Sequence, residues 1–376
     1  MSSNEPPSLP GKWMTTEQGS FAQFTTERRL PGIAASLAKQ YPMLARPLER
    51  LGEDVVQSAQ IDTSLLSGSE WWQRRSEEAK RTRWRDWPFF DLEFMFYAAL
   101  VAIFEGCDPF ARTKDNASCE ALNQLALRMA APHEEIHVCV WDSVFENQND
   151  LSQIEQVVHA RDDDRILLDQ MPRDFSTASK MAIVLDNVGW ELLADLRLAD
   201  RLLEQPANPC LTLYCKSQAM FVSDATRRDI RTLLDAMEVS SSEAISSLAR
   251  RLRLAARNGR LLIRDQTFWS EARHFTELET SLALELESCD IVICKGDLNY
   301  RRFVEDRKWP YTSDAAQVTQ NVTFSGLALR TVKSEVLVGA PASMREKLTA
   351  MSVAQFTDGR MALAQRLGQN STQTKP

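Results

Sequence analysis

Residues 183–191 read IVLDNVGWE, and this stretch decides the fold. A short apolar run with β-branched residues ends at Asp186 and Asn187, and a glycine turn and an amphipathic segment follow. This order predicts a buried strand, a turn and a helix, as in a parallel sheet. Because ligands of such sheets bind at the carboxyl ends of the strands, Asp186 and Asn187 are candidate site residues.

Further short apolar runs occur from about residue 165 onward and alternate with helical stretches. This alternation is typical of an α/β fold, with a largely parallel sheet and helices on both faces. The predicted strands are ILL (166–168), AIVLDN (182–187), CLTLYCK (210–216), RLLIR (260–264), CDIVICKGD (289–297), LALRTVK (327–333) and EVLVG (335–339).

The composition divides the 376 residues into four parts. Residues 1–20 are polar and contain prolines, so we expect them to be disordered. Residues 21–160 have a helical pattern and form a predicted helical N-terminal domain. Residues 161–368 form the α/β domain, and residues 369–376 are a polar, flexible tail.

Charge and composition exclude several classes of protein. The formal net charge of −8 argues against a nucleic-acid-binding protein, whose binding face is usually basic. No apolar run is long enough to cross a bilayer, and the N-terminus lacks the order of a signal peptide. The seven cysteines are odd in number and none lies in a CxxC motif, which favours a reducing compartment. We therefore expect a cytoplasmic protein without nucleic-acid or membrane partners.

Two motifs carry oxygen ligands for a divalent cation. Asp186 and Asn187 offer a carboxylate beside a neutral amide, a combination that suits such an ion. Asp-Asn after a strand also commonly forms a turn or caps a helix. The second motif is LTLYCKSQAMFVSDAT, in which a strand ends at Lys216 and Asp224 precedes a helix. Asp224 either caps that helix or completes a metal site with the first motif.

Two later motifs suit a phosphorylated ligand. In CDIVICKGDLNYRRF, Gly296 and Asp297 end a strand, and glycine allows the backbone to turn or to approach a ligand closely. In LALRTVKSEVLVG, Arg330 and Lys333 are three residues apart between apolar runs. Two cations beside buried strands suit a phosphate dianion, although each alone is equally typical of a surface salt bridge.

These four motifs, in this order, resemble the DUF89 family of metal-dependent damage-control phosphatases, and in particular its ARMT1-like branch. The resemblance rests on LDNVGWELLADLRLADRLL, YCKSQAMFVSD, GDLNYRRF and RTVK. It implies a Rossmann-like three-layer α/β/α domain with a helical N-terminal region. It also implies one divalent ion (magnesium, manganese, cobalt or nickel) at the strand ends and hydrolysis of a small phosphorylated metabolite.

The resemblance assigns roles residue by residue. Asp186, Asn187 and Asp224 fall on the metal ligands, and Asp186, Asp224 and Lys333 are the candidate catalytic residues. Whether water or Asp186 attacks the phosphorus is open. The candidate substrate-binding residues are Glu93, Lys216, Asp297, Asn299, Arg301, Arg330 and Lys333.

One helix departs from the family pattern, which usually has arginines where this chain has Ala98 and Ala99. The loss of two guanidinium groups leads to the hypothesis of a more apolar substrate, such as a prenyl phosphate or diphosphate. The alternative is that both alanines pack in the helical core.

An alternative function is that of a carboxyl methyltransferase that uses S-adenosylmethionine, although no GxGxxG motif follows a strand in the N-terminal half.

Two other clusters contain residue types that bind metal ions. His133 and His137 are four residues apart but have no third partner nearby, so we expect no zinc site there. Residues 162–164 are three consecutive aspartates, for which a solvated acidic loop is the simplest interpretation.

Overall fold

A computed structural model describes residues 9–66, 68–128, 135–147, 165–172 and 174–369 of the chain. The strands within these residues form one seven-stranded sheet. The strands are β1 (Ile166–Asp169), β2 (Lys180–Val184), β3 (Cys210–Lys216), β4 (Leu261–Gln266), β5 (Ile291–Lys295), β6 (Ser325–Thr331) and β7 (Ala362–Gly368).

Helices precede the sheet and also connect its strands. A π-helical turn, Thr25–Arg29, joins the first two helices into one rod. The helices before the sheet are α1 (Phe21–Phe24), α2 (Leu30–Gln40), α3 (Ala45–Val56), α4 (Glu70–Ala79), α5 (Phe89–Ile103), α6 (Ala111–Arg128) and α7 (Ile136–Glu146). The helices after β2 are α8 (Trp190–Leu203), α9 (Arg227–Glu238), α10 (Glu243–Arg257), α11 (Thr280–Glu287), α12 (Gly296–Phe303), α13 (Ala315–Val318), α14 (Arg345–Ala350) and α15 (Val353–Phe356).

The sheet is largely parallel and lies between two apolar layers, which confirms the predicted three-layer α/β fold. Strands β2 to β6 run parallel, whereas β7 is antiparallel to β6 and parallel to β1. Alternate residues of β2 point to opposite faces. Met181 and Ile183 pack with α7 to α10, whereas Ala182 and Val184 pack with α11 and α12 on the other face.

The strand order is β1-β7-β6-β5-β2-β3-β4, so the chain reverses direction next to β2. It continues from β2 to β3 and β4 on one side and then returns to β5 on the other. In open α/β sheets, ligands bind outside the carboxyl ends of the strands at such a switch point. The topology therefore favours the ends of β2 and β5 as the binding site.

One predicted strand was wrong and one strand was missed. The run EVLVG is a buried loop, in which Val338 N donates to Tyr300 Oη at 3.0 Å and Val338 O accepts from Gln365 Nε2 at 3.0 Å. The seventh strand is instead β7, whose sequence ALAQRLG contains polar residues and was not predicted. An apolar run indicates burial, but it does not reveal which backbone or side chain satisfies its peptide groups.

The prediction of disorder over residues 1–20 was wrong for residues 9–20, the part that is described. This segment pairs with two distant parts of the chain: Lys308 N donates to Gly11 O at 2.9 Å, and Phe89 N donates to Trp13 O at 2.8 Å. Composition alone does not show that an extended polar segment finds such partners.

The N-terminal helices cover the carboxyl edge of the sheet. Helices α2 to α5 share an apolar cluster with Met220, Val222 and Leu298, which follow β3 and β5. Helices α6 and α7 instead pack in the core on one face of the sheet. Within the described residues, no helix is both long and apolar enough to cross a membrane.

Candidate functional site

The loops that follow β2 and β3 are joined by backbone hydrogen bonds. Asp186 lies two residues beyond the end of β2, and its carbonyl oxygen accepts from Ala225 N at 2.8 Å. Val188 N donates to Ser223 O at 2.8 Å, and Asn187 forms a bridge with Asp224. The two loops therefore form one unit that brings the predicted metal ligands together.

Asp224 does not cap the helix that follows it. The N-cap of α9 is Thr226, whose side chain accepts from the backbone of the helix. Asp224 is buried; its Oδ1 accepts from Lys216 Nζ at 2.9 Å, and its Oδ2 accepts from Met220 N and Phe221 N at 3.1 and 3.0 Å. These donors hold the carboxylate in one orientation.

The side-chain amide of Asn187 is also fixed by hydrogen bonds. Its Oδ1 accepts from Ser223 Oγ at 2.7 Å, and its Nδ2 donates to Asp186 Oδ2 and to Glu191 Oε2, both at 2.9 Å. The amide oxygen therefore faces the loop that carries Asp224. Glu191, which sequence analysis missed, orients this amide from the first turn of α8.

Negative charge is concentrated at this edge of the sheet. Burial raises the pKa of the Asp186 carboxyl well above its usual range, and the neighbouring Glu191 raises it further, while Lys216 opposes this shift. Two buried carboxylates and an amide oxygen are a donor set that suits a hard divalent cation. Across the described residues, no cluster of three or more His, Cys, Asp or Glu side chains is arranged to hold a metal ion. The candidate set contains only two such residues, with Asn187 as the third.

The end of β5 comes very close to Asp186. Gly296 has a φ of +81°, and a Cβ atom added there would lie 1.8 Å from Asp186 Oδ2. A side chain at this position would therefore occupy the space of the carboxylate. The next residue, Asp297, accepts from Lys333 N at 3.0 Å and lies 3.2 Å from Arg330 Nη2.

A cavity of about 60 Å³ lies where these loops meet α5 and the N-terminal helix. This volume is enough for a few water molecules or a group of similar size. Seven of the ten predicted site residues line it: Glu93, Asp186, Asn187, Asp224, Asp297, Arg301 and Lys333. Sequence analysis missed the other lining residues, which are Phe21, Arg29, Phe221, Ser223 and Leu298.

Three predicted residues do not line the cavity. Lys216 lies behind Asp224, and Asn299 donates its Nδ2 to Lys295 O at 2.8 Å. Arg330 is fully buried behind Asp297, with its guanidinium 4.0 Å from the centre of the Tyr300 ring. The structure thus separates Lys333, which lines the cavity, from Arg330, which does not.

Asn147 links Lys333 to the carboxylates and was also missed. Lys333 Nζ donates to the Asn147 carbonyl oxygen. The Asn147 side chain donates to Glu191 Oε2 at 2.8 Å and to Asp186 Oδ2 at 3.3 Å, and it accepts from Thr331 Oγ1 at 3.0 Å. An asparagine just after a helix carries no distinctive pattern, so no signal in a single sequence identifies it.

The far end of the cavity contains a buried ion pair. Arg301 Nη1 donates to Glu93 Oε2 at 2.7 Å, and Arg301 Nε donates to Asp306 Oδ1 at 2.7 Å. Burial raises the pKa of Glu93, and the charge of Arg301 opposes this shift. A second arginine, Arg29, lines the same cavity as this ion pair.

The remaining sequence hypotheses concern residues outside the cavity. Ala98 and Ala99 are buried in the helical core with α2 to α4 and do not line the cavity. His137 is exposed on α7. His133 and residues 162–164 lie outside the described residues.

Comparison with known proteins agrees with the motifs. A family model described as the damage-control phosphatase ARMT1-like domain matches residues 25–348. The chain belongs to this family. The resemblance inferred from the four motifs is therefore confirmed.

Similar ARMT1-like proteins occur in vertebrates. The Mus musculus protein named damage-control phosphatase ARMT1 is 34% identical over 190 residues, which are 50% of this chain and 43% of that protein. The Xenopus laevis protein of the same name is 26% identical over 293 residues, 72% of this chain and 66% of that protein. The chain thus spans about half the length of the mouse relative. A crystal structure of a DUF89 family protein from Pyrococcus horikoshii aligns with a TM-score of 0.47 and 13% identity, over 89% of this chain and 96% of that chain.

Proposed function

We propose that this ARMT1-like protein is a divalent-metal-dependent phosphatase that hydrolyses a small phosphorylated metabolite, such as a sugar phosphate. The observation that carries the proposal is the convergence of Asp186, Asn187 and Asp224 with Lys333 on one cavity at the switch point of the sheet. Its similarity to proteins named damage-control phosphatases supports the same reaction class.

Asp186, Asn187 and Asp224 would hold the metal ion. When bound, the ion supplies Lewis-acid activation of the phosphoryl group. The donor set fits such an ion because burial and the neighbouring carboxylates Glu191 and Asp224 raise the pKa of Asp186, and a bound cation would offset these effects. Lys216 supplies part of that charge from behind and keeps Asp224 oriented.

Lys333 would bind the transferring phosphoryl group. An ammonium group has three donors, so Lys333 can keep its hydrogen bond to the Asn147 carbonyl and still donate to a phosphate oxygen. Its positive charge stabilises the negative charge on the phosphoryl oxygens as the leaving group departs. Asp186 Oδ2 already accepts two hydrogen bonds, which supports a role as ligand and attack by water.

The proposal is tested by measuring hydrolysis of a panel of phosphate monoesters with magnesium, manganese, cobalt or nickel. Asp186→Asn and Asp224→Asn should lose metal affinity in calorimetry, and kcat/KM should fall by about a thousandfold or more because a charged ligand is removed. Asp265→Asn is the control, since Asp265 is an exposed carboxylate at the end of β4 that pairs with Arg227. Full turnover after removal of metal by a chelator, or parental metal affinity in both variants, would contradict the proposal.

The two alternative functions are separated in the same assays. The turn after β2 contains Asp186, Asn187 and a single glycine, Gly189, and not a glycine-rich loop for S-adenosylmethionine. Ala98 and Ala99, which motivated a prenyl substrate, do not line the cavity. Binding of S-adenosylmethionine in calorimetry, or preferred turnover of a prenyl phosphate, would favour one of these alternatives.

A further inference from the structure

One wall of the cavity comes from a part of the chain that carries none of the family motifs. We call residues 9–29 the N-terminal arm. Phe21 and Arg29 of this arm line the cavity together with the residues that follow the strands. We propose that the N-terminal arm is a working part of the active site and that Arg29 and Phe21 bind the leaving group of the substrate. This inference rests on the proposed phosphatase function.

The arm is anchored to elements that already contribute to the cavity. Phe89 N, at the start of α5, donates to Trp13 O at 2.8 Å. Phe21 N donates to Glu335 Oε2 at 2.7 Å, two residues after Lys333. The Phe21 and Phe89 rings meet edge to face with their centres 6.0 Å apart. These contacts fix the position of Phe21 relative to the phosphate-binding lysine.

The backbone of the arm is irregular where it reaches the cavity. Residues Thr25–Arg29 form a π-helical turn, and Leu30 N donates to Thr25 O across five residues. Such turns are rare and often occur at functional sites. Arg29 turns toward the cavity, whereas Arg28 and Phe24 in the same helical rod are exposed. The helix thus presents one arginine and one phenylalanine to the cavity and leaves a similar pair in solvent.

The arm reaches the end of the cavity that lies beside Arg301. Phe21 also lines a smaller neighbouring cavity with Arg301 and Asp306, and none of the predicted metal ligands lines that second cavity. The arm therefore contributes to the end beside Arg301 and its partner Glu93, and Arg29 lines the same main cavity. A guanidinium there can donate several hydrogen bonds to hydroxyl or carboxylate oxygens of the leaving group.

The character of this end defines the leaving group. Charged side chains at Arg29, Glu93 and Arg301 provide donors and acceptors, and Phe21 and Phe221 provide apolar surface. A polyhydroxylated carbon skeleton has both polar edges and an apolar face, so it matches this combination. Inorganic phosphate lacks such a skeleton and would reach only the opposite end.

Arg29→Gln and its control Arg28→Gln test the inference with two ligands, inorganic phosphate and a hexose phosphate. Arg29→Gln should weaken hexose phosphate binding about ten- to a hundredfold in calorimetry, the effect of a lost hydrogen bond to a charged group. Inorganic phosphate binding should change by less than about twofold, within the range of a remote surface substitution. KM for the ester should rise more than kcat falls, and Arg29→Lys should restore part of the affinity. Phe21→Ala should act in the same direction, with Phe24→Ala as its control.

The outcomes separate this inference from the proposed function. Parental affinity of Arg29→Gln for the hexose phosphate would overturn the assignment of Arg29. Equal weakening for both ligands would place Arg29 on the phosphoryl group and would also overturn it. A parent protein that binds neither ligand refutes the proposed function, and this inference with it.

Discussion

One wall of the cavity comes from the carboxyl ends of β2, β3 and β5, and the opposite wall comes from the N-terminal arm and α5. In the first wall, backbone hydrogen bonds such as Ala225 N to Asp186 O hold the functional groups. In the second wall, contacts between segments far apart in the sequence do this. Glu93 and Arg301 are 208 residues apart, and Phe21 and Glu335 are 314 residues apart.

The two walls should therefore differ in function and in how they respond to substitutions. The sheet wall is built around buried charge, so small displacements there alter the geometry of the reacting groups. The arm wall is held by contacts between segments that are far apart in the sequence and carries no predicted metal ligand, so changes there should alter which substrate binds before they alter chemistry. Substitutions that alter one wall and leave the other intact test this difference.

Outside the predicted metal ligands, the largest effect is expected from Gly296→Ala, which acts on the sheet wall. The new Cβ would lie 1.8 Å from Asp186 Oδ2, and the φ of +81° is itself unfavourable for alanine. Displacement of Asp186 should reduce kcat/KM by about a hundredfold or more. The free energy of unfolding in urea should fall by about 2–4 kcal/mol, as for other steric conflicts in a buried site.

The control is Gly259→Ala. Gly259 also has a positive φ, +72°, but it is exposed and a Cβ there meets nothing within 4 Å. The Gly259→Ala variant should lose only about 1 kcal/mol of stability and keep its activity. If both variants lose stability equally and neither loses activity, the contact between Gly296 and Asp186 has no role in the site.

Lys333→Gln should have the next largest effect. It removes the ammonium that we assign to the phosphoryl group while leaving Asp186, Asn187 and Asp224 in place. We expect kcat/KM to fall about ten- to a hundredfold, the effect of one hydrogen bond to a charged group. Metal affinity in calorimetry should change little. Lys347→Gln, at an exposed lysine of α14, is the control. Parental turnover of Lys333→Gln would make this lysine a structural cation.

The sheet wall was largely predictable from sequence because its signals are local. A strand that is followed directly by polar residues such as Asp186-Asn187 or Gly296-Asp297 places them at one edge of the sheet whatever the rest of the chain does. Arg330 shows the limit of this reasoning. It lies three residues from Lys333, but it belongs to β6, which ends at Thr331 and buries it behind Asp297, whereas Lys333 follows the strand and lines the cavity.

The arm wall was not predictable in the same way. Residues 9–20 have the composition of a disordered tail, and their order depends on backbone partners such as Phe89 and Lys308, far away in the sequence. Only tertiary contacts determine which residue of the π-helical turn faces the cavity. No local sequence pattern therefore identifies Arg29 as a site residue. The site residues that were missed thus lie mostly where the fold brings distant segments together.

A smaller effect is expected at the attachment of the arm, where pH should act through His274. This residue is buried, and its Nε2 accepts from Lys12 Nζ at 3.3 Å. Burial lowers its pKa well below the usual value, as do Lys12, Arg302, Arg301 and Arg307. The folded protein therefore keeps a neutral imidazole while the unfolded chain takes up a proton below about pH 6.5.

The direction in which stability changes with pH follows from this proton uptake. The contribution of His274 to stability is complete above about pH 6.5 and is lost as the pH falls toward the lowered pKa of the folded state. Between pH 7.5 and 5.5 the loss of this contribution should lower the free energy of unfolding by about 1 kcal/mol. Urea unfolding at both values should show that His274→Asn loses less stability on acidification than the parent does. An identical decrease in both proteins would assign the pH dependence to other groups.

The smallest effect on activity is expected from Ala98→Ser and Ala99→Ser, which test the hypothesis of an apolar substrate. Both alanines pack in the helical core and neither lines the cavity, so a hydroxyl there should lower stability by about 1–3 kcal/mol, the cost of a buried polar group without a partner, and leave the cavity unchanged. The ratio of turnover between a hexose phosphate and a prenyl phosphate should stay unchanged.

Phe221→Ala is the positive control, because Phe221 lines the cavity and its ring centre lies 4.6 Å from that of Tyr97 on α5. That variant should change the ratio, because it removes apolar surface from the wall itself. If the serine variants shift the ratio as much as Phe221→Ala does, then α5 influences substrate choice through its packing. The absence of the family's arginines would then bear on specificity after all.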